Sequence, residues 1–130
     1  MTGEGPRVGA VIGVIIGTPP DRFEAMRRFY VETLGLPVRV DRPGHLNFQW
    51  GTTRLTIGAH GELNGATSDP LRVLINLEVD GIEAVVARLR AAGVTFLREP
   101  SQEAWGGWIA TFEDPDRNTL QLMQLPPGGE

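Results

Sequence analysis

The sequence predicts an α+β fold in which two β-α-β-β-β modules form a single domain. Three observations carry this. Apolar runs rich in Val and Ile are bounded by Gly and Pro, which marks short buried strands. The order strand, helix, strand, strand, strand occurs twice. The two copies also align residue by residue: Phe23-Glu24-Ala25-Met26 matches Ile82-Glu83-Ala84-Val85 at an offset of 59, and Leu34-Gly35-Leu36 matches Ala92-Gly93-Val94 at 58.

In order, Val8 to Gly17 is the first strand, and Thr18-Pro19-Pro20-Asp21 turns into a helix with Asp21 as its N-cap. Phe23, Met26, Arg27, Tyr30 and Leu34 follow helical spacing, and Gly35 ends the helix. Leu36 to Asp41, His45 to Trp50 and Thr53 to Gly58 are strands, separated by turns at Arg42-Pro43-Gly44 and Gly51-Thr52. These complete module one, about residues 8–58. His60 to Pro70 is a connecting loop. Module two, about residues 71–125, has a strand at Leu71 to Val79, a helix at Ile82 to Ala92 stopped by Gly93, and a strand at Val94 to Arg98. A loop carries Pro100 to Gly107. Strands at Trp108 to Glu113 and Thr119 to Leu125 flank the turn Asp114-Pro115-Asp116-Arg117-Asn118, and Pro126 onward is a frayed tail.

Length and composition narrow the function. A chain of 130 residues fits one core. With 41% hydrophobic and 22% charged residues it is not disordered. The net charge of −4 and the lack of a basic run argue against a nucleic-acid partner. The absence of Cys excludes disulfides, thiolate metal sites and a cysteine nucleophile, and fits a cytoplasmic location. Met1 to Pro6 lacks a secretory pattern, and the Val8 to Gly17 run is about half the length a helix needs to span a bilayer, so no membrane role is expected.

Four segments resemble the glyoxalase/bleomycin-resistance/extradiol-dioxygenase (vicinal oxygen chelate) superfamily. Phe29-Tyr30 ahead of Leu34-Gly35-Leu36 resembles its first-helix signature. Leu77-Glu78-Val79-Asp80, with a helix ending Ala91-Ala92-Gly93-Val94, resembles its second-half strand and helix. Trp105-Gly106-Gly107 resembles its W-G stretch, and Phe112 to Asn118 its F-x-D-P-D-G-N stretch. Arg117 departs from the Gly of that pattern, which implies a left-handed residue or an altered turn. The resemblance implies a curved mixed sheet, or cup, with helices outside, and a homodimer.

In many members it also implies a divalent metal held by His, His and Glu on the first, fifth and last strands. Those positions fall here on Ile15 (or Gly13 after a two-residue slip), Leu74 and Gln121. Two hydrocarbons and one neutral amide make a poor donor set, so the usual metal centre is expected to be absent and no cofactor is expected. Strand alternation from those positions lines the cup with Asn47, Gln49, Thr56, Leu74, Asn76, Ile109, Thr111, Glu113, Thr119, Gln121 and Met123, with Trp105 at its rim. Trp105 reads equally as a stacking residue and as cover of core or dimer interface; Trp50, also near the rim, reads as such cover, and Trp108 as core.

The first functional reading is therefore a metal-free protein that binds a small drug or metabolite, in the manner of the bleomycin-resistance branch. The alternative is a lyase, isomerase or dioxygenase acting without a metal or with a relocated one, through Gln49, His60 or Glu113 with Gln121. Glu113 is then the candidate general base. A third reading is an interaction module with a closed cup.

Overall fold

The computed structural model describes residues 5–128; the expectations for Met1 to Glu4 and for the last two residues of the tail lie outside them. Module one comprises β1 (Gly13–Thr18), α1 (Phe23–Arg27), β2 (Val38–Arg42), β3 (His45–Trp50) and β4 (Thr53–Ala59). Module two comprises β5 (Leu74–Glu78), α2 (Ile82–Ala91), β6 (Phe96–Gln102), β7 (Trp108–Glu113) and β8 (Thr119–Gln124). Each module is one four-stranded sheet, in the order β1-β4-β3-β2 and β5-β8-β7-β6. The first strand of each pairs parallel with the last, and the other neighbours are antiparallel. The curved surface expected as one sheet is thus built from two separately hydrogen-bonded ones. Their edge strands β1 and β5 border a common crevice of about 220 Å³. No helix among the described residues is long and apolar enough to cross a membrane.

Several boundaries differ from the sequence reading, each for a local reason. β1 starts at Gly13 rather than Val8 because its only neighbour, β4, begins at Thr53; the last tie beyond the ladder is Arg54 N–H to the Ile12 carbonyl at 3.0 Å. β5 starts at Leu74 rather than Leu71 because its partner, β8, starts at Thr119 opposite it. β6 runs on through Pro100, which the sequence places in a loop. β6 is an edge strand, and its ladder is interrupted between Arg98 and Ser101, so the missing Pro N–H costs no pairing.

The first helix is not one continuous α-helix. Pro19 and Pro20 lack N–H groups, and the chain opens with a 3-10 turn over Pro20–Arg22 capped at Pro19, with Asp21 inside the turn rather than at its cap. After Arg27 the winding widens to a π-helical stretch, Arg28–Thr33, closed by Leu34 N–H to the Phe29 carbonyl at 2.8 Å. Gly35 and Gly93 follow the helices with φ of 70° and 97°, a conformation glycine takes without a Cβ penalty. Arg117 takes the left-handed conformation its place in the turn implied, at φ 67°.

One hydrophobic cluster spans both modules, with Met26, Tyr30, Phe48, Leu89, Phe112 and Leu120 at its centre. Phe29 lies 6.1 Å from Phe112 and Tyr30 lies 6.2 Å from Phe48, measured between ring centroids.

A buried polar joint reinforces the cluster. The Tyr30 hydroxyl donates to Asp114 Oδ2 at 2.7 Å, and the Thr18 hydroxyl to Asp116 Oδ2 at 2.6 Å. Arg22 donates from Nε to Asp116 and from Nη2 to the Pro115 carbonyl. Asp114 also accepts the backbone N–H groups of Asp116 and Asn118 at 2.9 Å each. The turn read from sequence as a simple reversal therefore fastens one module to the other. Burial raises the Asp114 pKa against the opposing pull of these hydrogen bonds. Burial, with the neighbouring Asp114, also lifts the Tyr30 phenol well above its ordinary 10.0.

Candidate functional site

Alternation along each strand separates a face packed on the helices from a face free of them. Ile16, Leu46, Phe48, Leu55 and Ile57 in module one, and Ala110, Phe112, Leu120 and Leu122 in module two, point into the core. The opposite parity carries Ile15, Asn47, Gln49 and Thr56, and then Leu74, Asn76, Ile109, Thr111, Gln121 and Met123. The parity used to choose these residues from sequence is the parity the strands have.

The ladders set some of these side chains beside one another. Thr56 of β4 lies between Ile15 of β1 and Asn47 of β3. Asn47 is only 4% exposed; its Nδ2 donates to Thr56 Oγ1 at 2.7 Å, and its Oδ1 accepts from Arg39 Nη1 at 3.3 Å. Gln49 lies on the same face but turns back, its Nε2 donating to the Gly51 carbonyl at 2.8 Å. In module two, Gln121 lies between Asn76 and Thr111, and its Nε2 donates to Thr111 Oγ1 at 3.3 Å. Ile109 and Met123 are direct partners one step along. Thr119, also given to the cup by alternation, is fully buried, with its hydroxyl spent on the Pro70 carbonyl of the connecting loop.

The predicted residues do not all meet. Leu74 and Asn76 line a largely apolar cleft of about 530 Å³ between β5 and module one, with Val14, Leu36, Trp50 and Leu55 on its far wall. The amide–hydroxyl pairs lie on the sheet faces instead. Trp105 is 38% exposed and folds over Gly107, where a Cβ would stand 2.1 Å from its ring. Trp50 is 40% exposed with its ring 6.5 Å from Phe48, and Trp108 packs against the core.

Sequence reasoning gave this surface one charged side chain, Glu113, and the structure adds arginines and the His45 imidazole. His45 and Arg54 share the parity of Asn47 and Thr56. Arg39 reaches Asn47, and its counterpart Arg98, 59 positions on, stands opposite Thr111. The signal was in the sequence, because the same alternation that selects Asn47 and Thr56 also selects His45 and Arg54. Arg39 follows a ladder shift in β2, and no alternation count reveals that.

The three positions that correspond to the metal ligands carry a poor donor set. Ile15 and Leu74 present hydrocarbon, and Gln121, whose Nε2 donates to Thr111, offers one neutral amide oxygen. Among the described residues no three His, Cys, Asp or Glu side chains are gathered around one point. His60 accepts the Glu62 N–H at Nδ1 in the connecting loop, and Glu113 faces the Arg117 guanidinium at 3.7 Å. This donor set does not fit a divalent ion.

Comparison with known proteins gives three findings. A family model described as the Glyoxalase/Bleomycin resistance protein/Dioxygenase superfamily matches residues 16–122. The uncharacterized protein YetH of Bacillus subtilis (strain 168) is 28% identical over 120 residues, which is 87% of this chain and 97% of that protein. Among solved structures, a glyoxalase/bleomycin resistance protein/dioxygenase from Nocardioides superposes with a TM-score of 0.74 at 20% identity, covering 97% of this chain and 89% of that one. A glyoxalase-related enzyme from Fulvimarina pelagi gives 0.72 at 22% identity, covering 95% and 96%. These structural likenesses show the fold.

Proposed function

The chain belongs to the glyoxalase/bleomycin resistance protein/dioxygenase superfamily, and on that premise we propose that it binds a small organic molecule, a drug or metabolite, without the metal centre used by many members. One observation carries the reading. The positions that correspond to the metal ligands hold Ile15, Leu74 and Gln121 on the helix-free faces, and the only polar group among them already donates to Thr111. Hydrocarbon beside amides and hydroxyls that keep a few unused hydrogen-bonding atoms suits a ligand held by shape and a few hydrogen bonds. We place this protein in the cytoplasm, as a homodimer.

The test is metal analysis of protein purified without chelators, with thermal melts in added Ni²⁺, Zn²⁺, Mn²⁺ and Fe²⁺. A ligand of the folded state raises stability by mass action. The expected result is substoichiometric metal and unshifted melts. A stoichiometric ion with a raised melting temperature would replace this reading with a metal-dependent lyase, isomerase or dioxygenase.

A further inference from the structure

The hydrogen-bonded row across the first sheet has a fixed direction. A guanidinium has donors and no acceptor, so the atom of Asn47 facing Arg39 must be its carbonyl oxygen, at 3.3 Å. The amide nitrogen then faces Thr56, and Thr56 Oγ1 is the acceptor of that 2.7 Å bond. The Thr56 hydroxyl proton is left over. So are the N–H groups of Arg39 that Asn47 does not take. The row therefore presents donors at both ends.

Charge on this face agrees. Asp41 is the only acidic residue in β1 to β4, and it is turned to the helix side, where it accepts from Arg27 at 3.1 and 2.6 Å. The helix-free face keeps Arg39, Arg54 and His45 with no carboxylate among its strands, in a chain whose net charge is −4. The repeat supplies an internal control. Arg98, the counterpart of Arg39, is neutralised by Glu103 and bonded to Ser101. At the same offset module one has Gly44 in place of Glu103, and among the described residues no carboxylate pairs with Arg39. Beside Thr56 in the ladder stands Ile15, 76% exposed, an apolar floor next to the donors.

We infer that the ligand of the first sheet is a small hydrophobic organic acid, its carboxylate held by Arg39 and the Thr56 hydroxyl and its apolar body on Ile15. The planar guanidinium fork matches a carboxylate, and a carboxylate supplies only acceptors to a row that offers only donors. This rests on the small-molecule reading above and names the chemical class of its ligand.

The experiment is amide-resolved NMR titration of the full chain with naphthalene-2-carboxylate, 4-phenylbutyrate and decanoate, each beside its neutral primary amide and the amine of equal length. The expected result is that the acids shift the resonances of Arg39, Asn47 and Thr56 and bind about tenfold more tightly than their amides, the scale of a charge-assisted hydrogen bond. Arg39→Gln, on an exposed edge strand, should abolish that preference while the amides bind as before; Thr56→Val should weaken the acids several-fold. Amides or amines that shift these resonances as well as the acids do would overturn the assignment and leave the small-molecule reading standing. Failure of all three series to perturb this face would overturn both.

Discussion

Replacing Tyr30 by Phe removes one hydroxyl from the buried joint and leaves Asp114 with one fewer donor. The expected loss is about 1–3 kcal/mol in urea unfolding at neutral pH. The folded-state pKa of Tyr30 is raised above its ordinary 10.0, so the stability tied to its protonated form is fully present below about pH 10. It is lost as pH rises through the folded value. The wild-type urea midpoint should fall as pH rises above about 10, and the Phe variant should fall less; equal slopes would remove Tyr30 as the cause. Arg117 holds a left-handed conformation at φ 67°, and its Glu113 partner is a 3.7 Å surface pair of small worth. Arg117→Gly should therefore raise stability by about 0.5–1 kcal/mol, read from the same urea unfolding. The strain at Arg117 was legible because the surrounding turn pattern calls for Gly. The role of Asp114 and Asp116 was not, since their partners Tyr30 and Thr18 are 84 and 98 positions away.

Among the elements, interior strands were easier to read than edges and ends. His45 to Trp50 and Trp108 to Glu113 alternate against neighbours on both sides, and their bounds matched the pattern. β1 and β5 were overextended because Val, Ile and Leu continue past the end of the strand they pair with, and composition does not reveal where a partner stops. The winding of the first helix was hidden for a similar reason: its apolar spacing suits an α-helix, while the π-helical stretch is seen only in its backbone bonds. After β6, Trp105 folds over Gly107 so closely that an added Cβ would meet the ring at 2.1 Å. Gly107→Ala should expel the indole, shifting tryptophan emission to the red at a cost of about 1–3 kcal/mol. In a Trp105→Phe background the same change should leave the emission of Trp50 and Trp108 where it was.

At the scale of the whole molecule, apolar side chains stand exposed just before β1 and just before β5. Val11 is 79% exposed, Ile12 72% and Val73 64%. A homodimer that covers these side chains is the expected state, and Val73→Glu should convert it to monomer in sedimentation equilibrium while the far-ultraviolet spectrum stays unchanged; a wild-type chain that sediments as a monomer at all concentrations would refute the dimer. The two-module plan was legible from the repeat, and the helix-free faces from alternation. The split of the surface into two sheets was not, because hydrogen bonding between β1 and β5 depends on a separation that no residue pattern encodes. The polar joint has a consequence for how the chain is made. During synthesis Thr18, Arg22 and Tyr30 leave the ribosome long before Asp114 and Asp116. Until those carboxylates arrive, burying the early side chains would strand their donors. The first half must wait as a nascent chain, with its aromatic residues open to chaperones, until nearly the last strand has been translated.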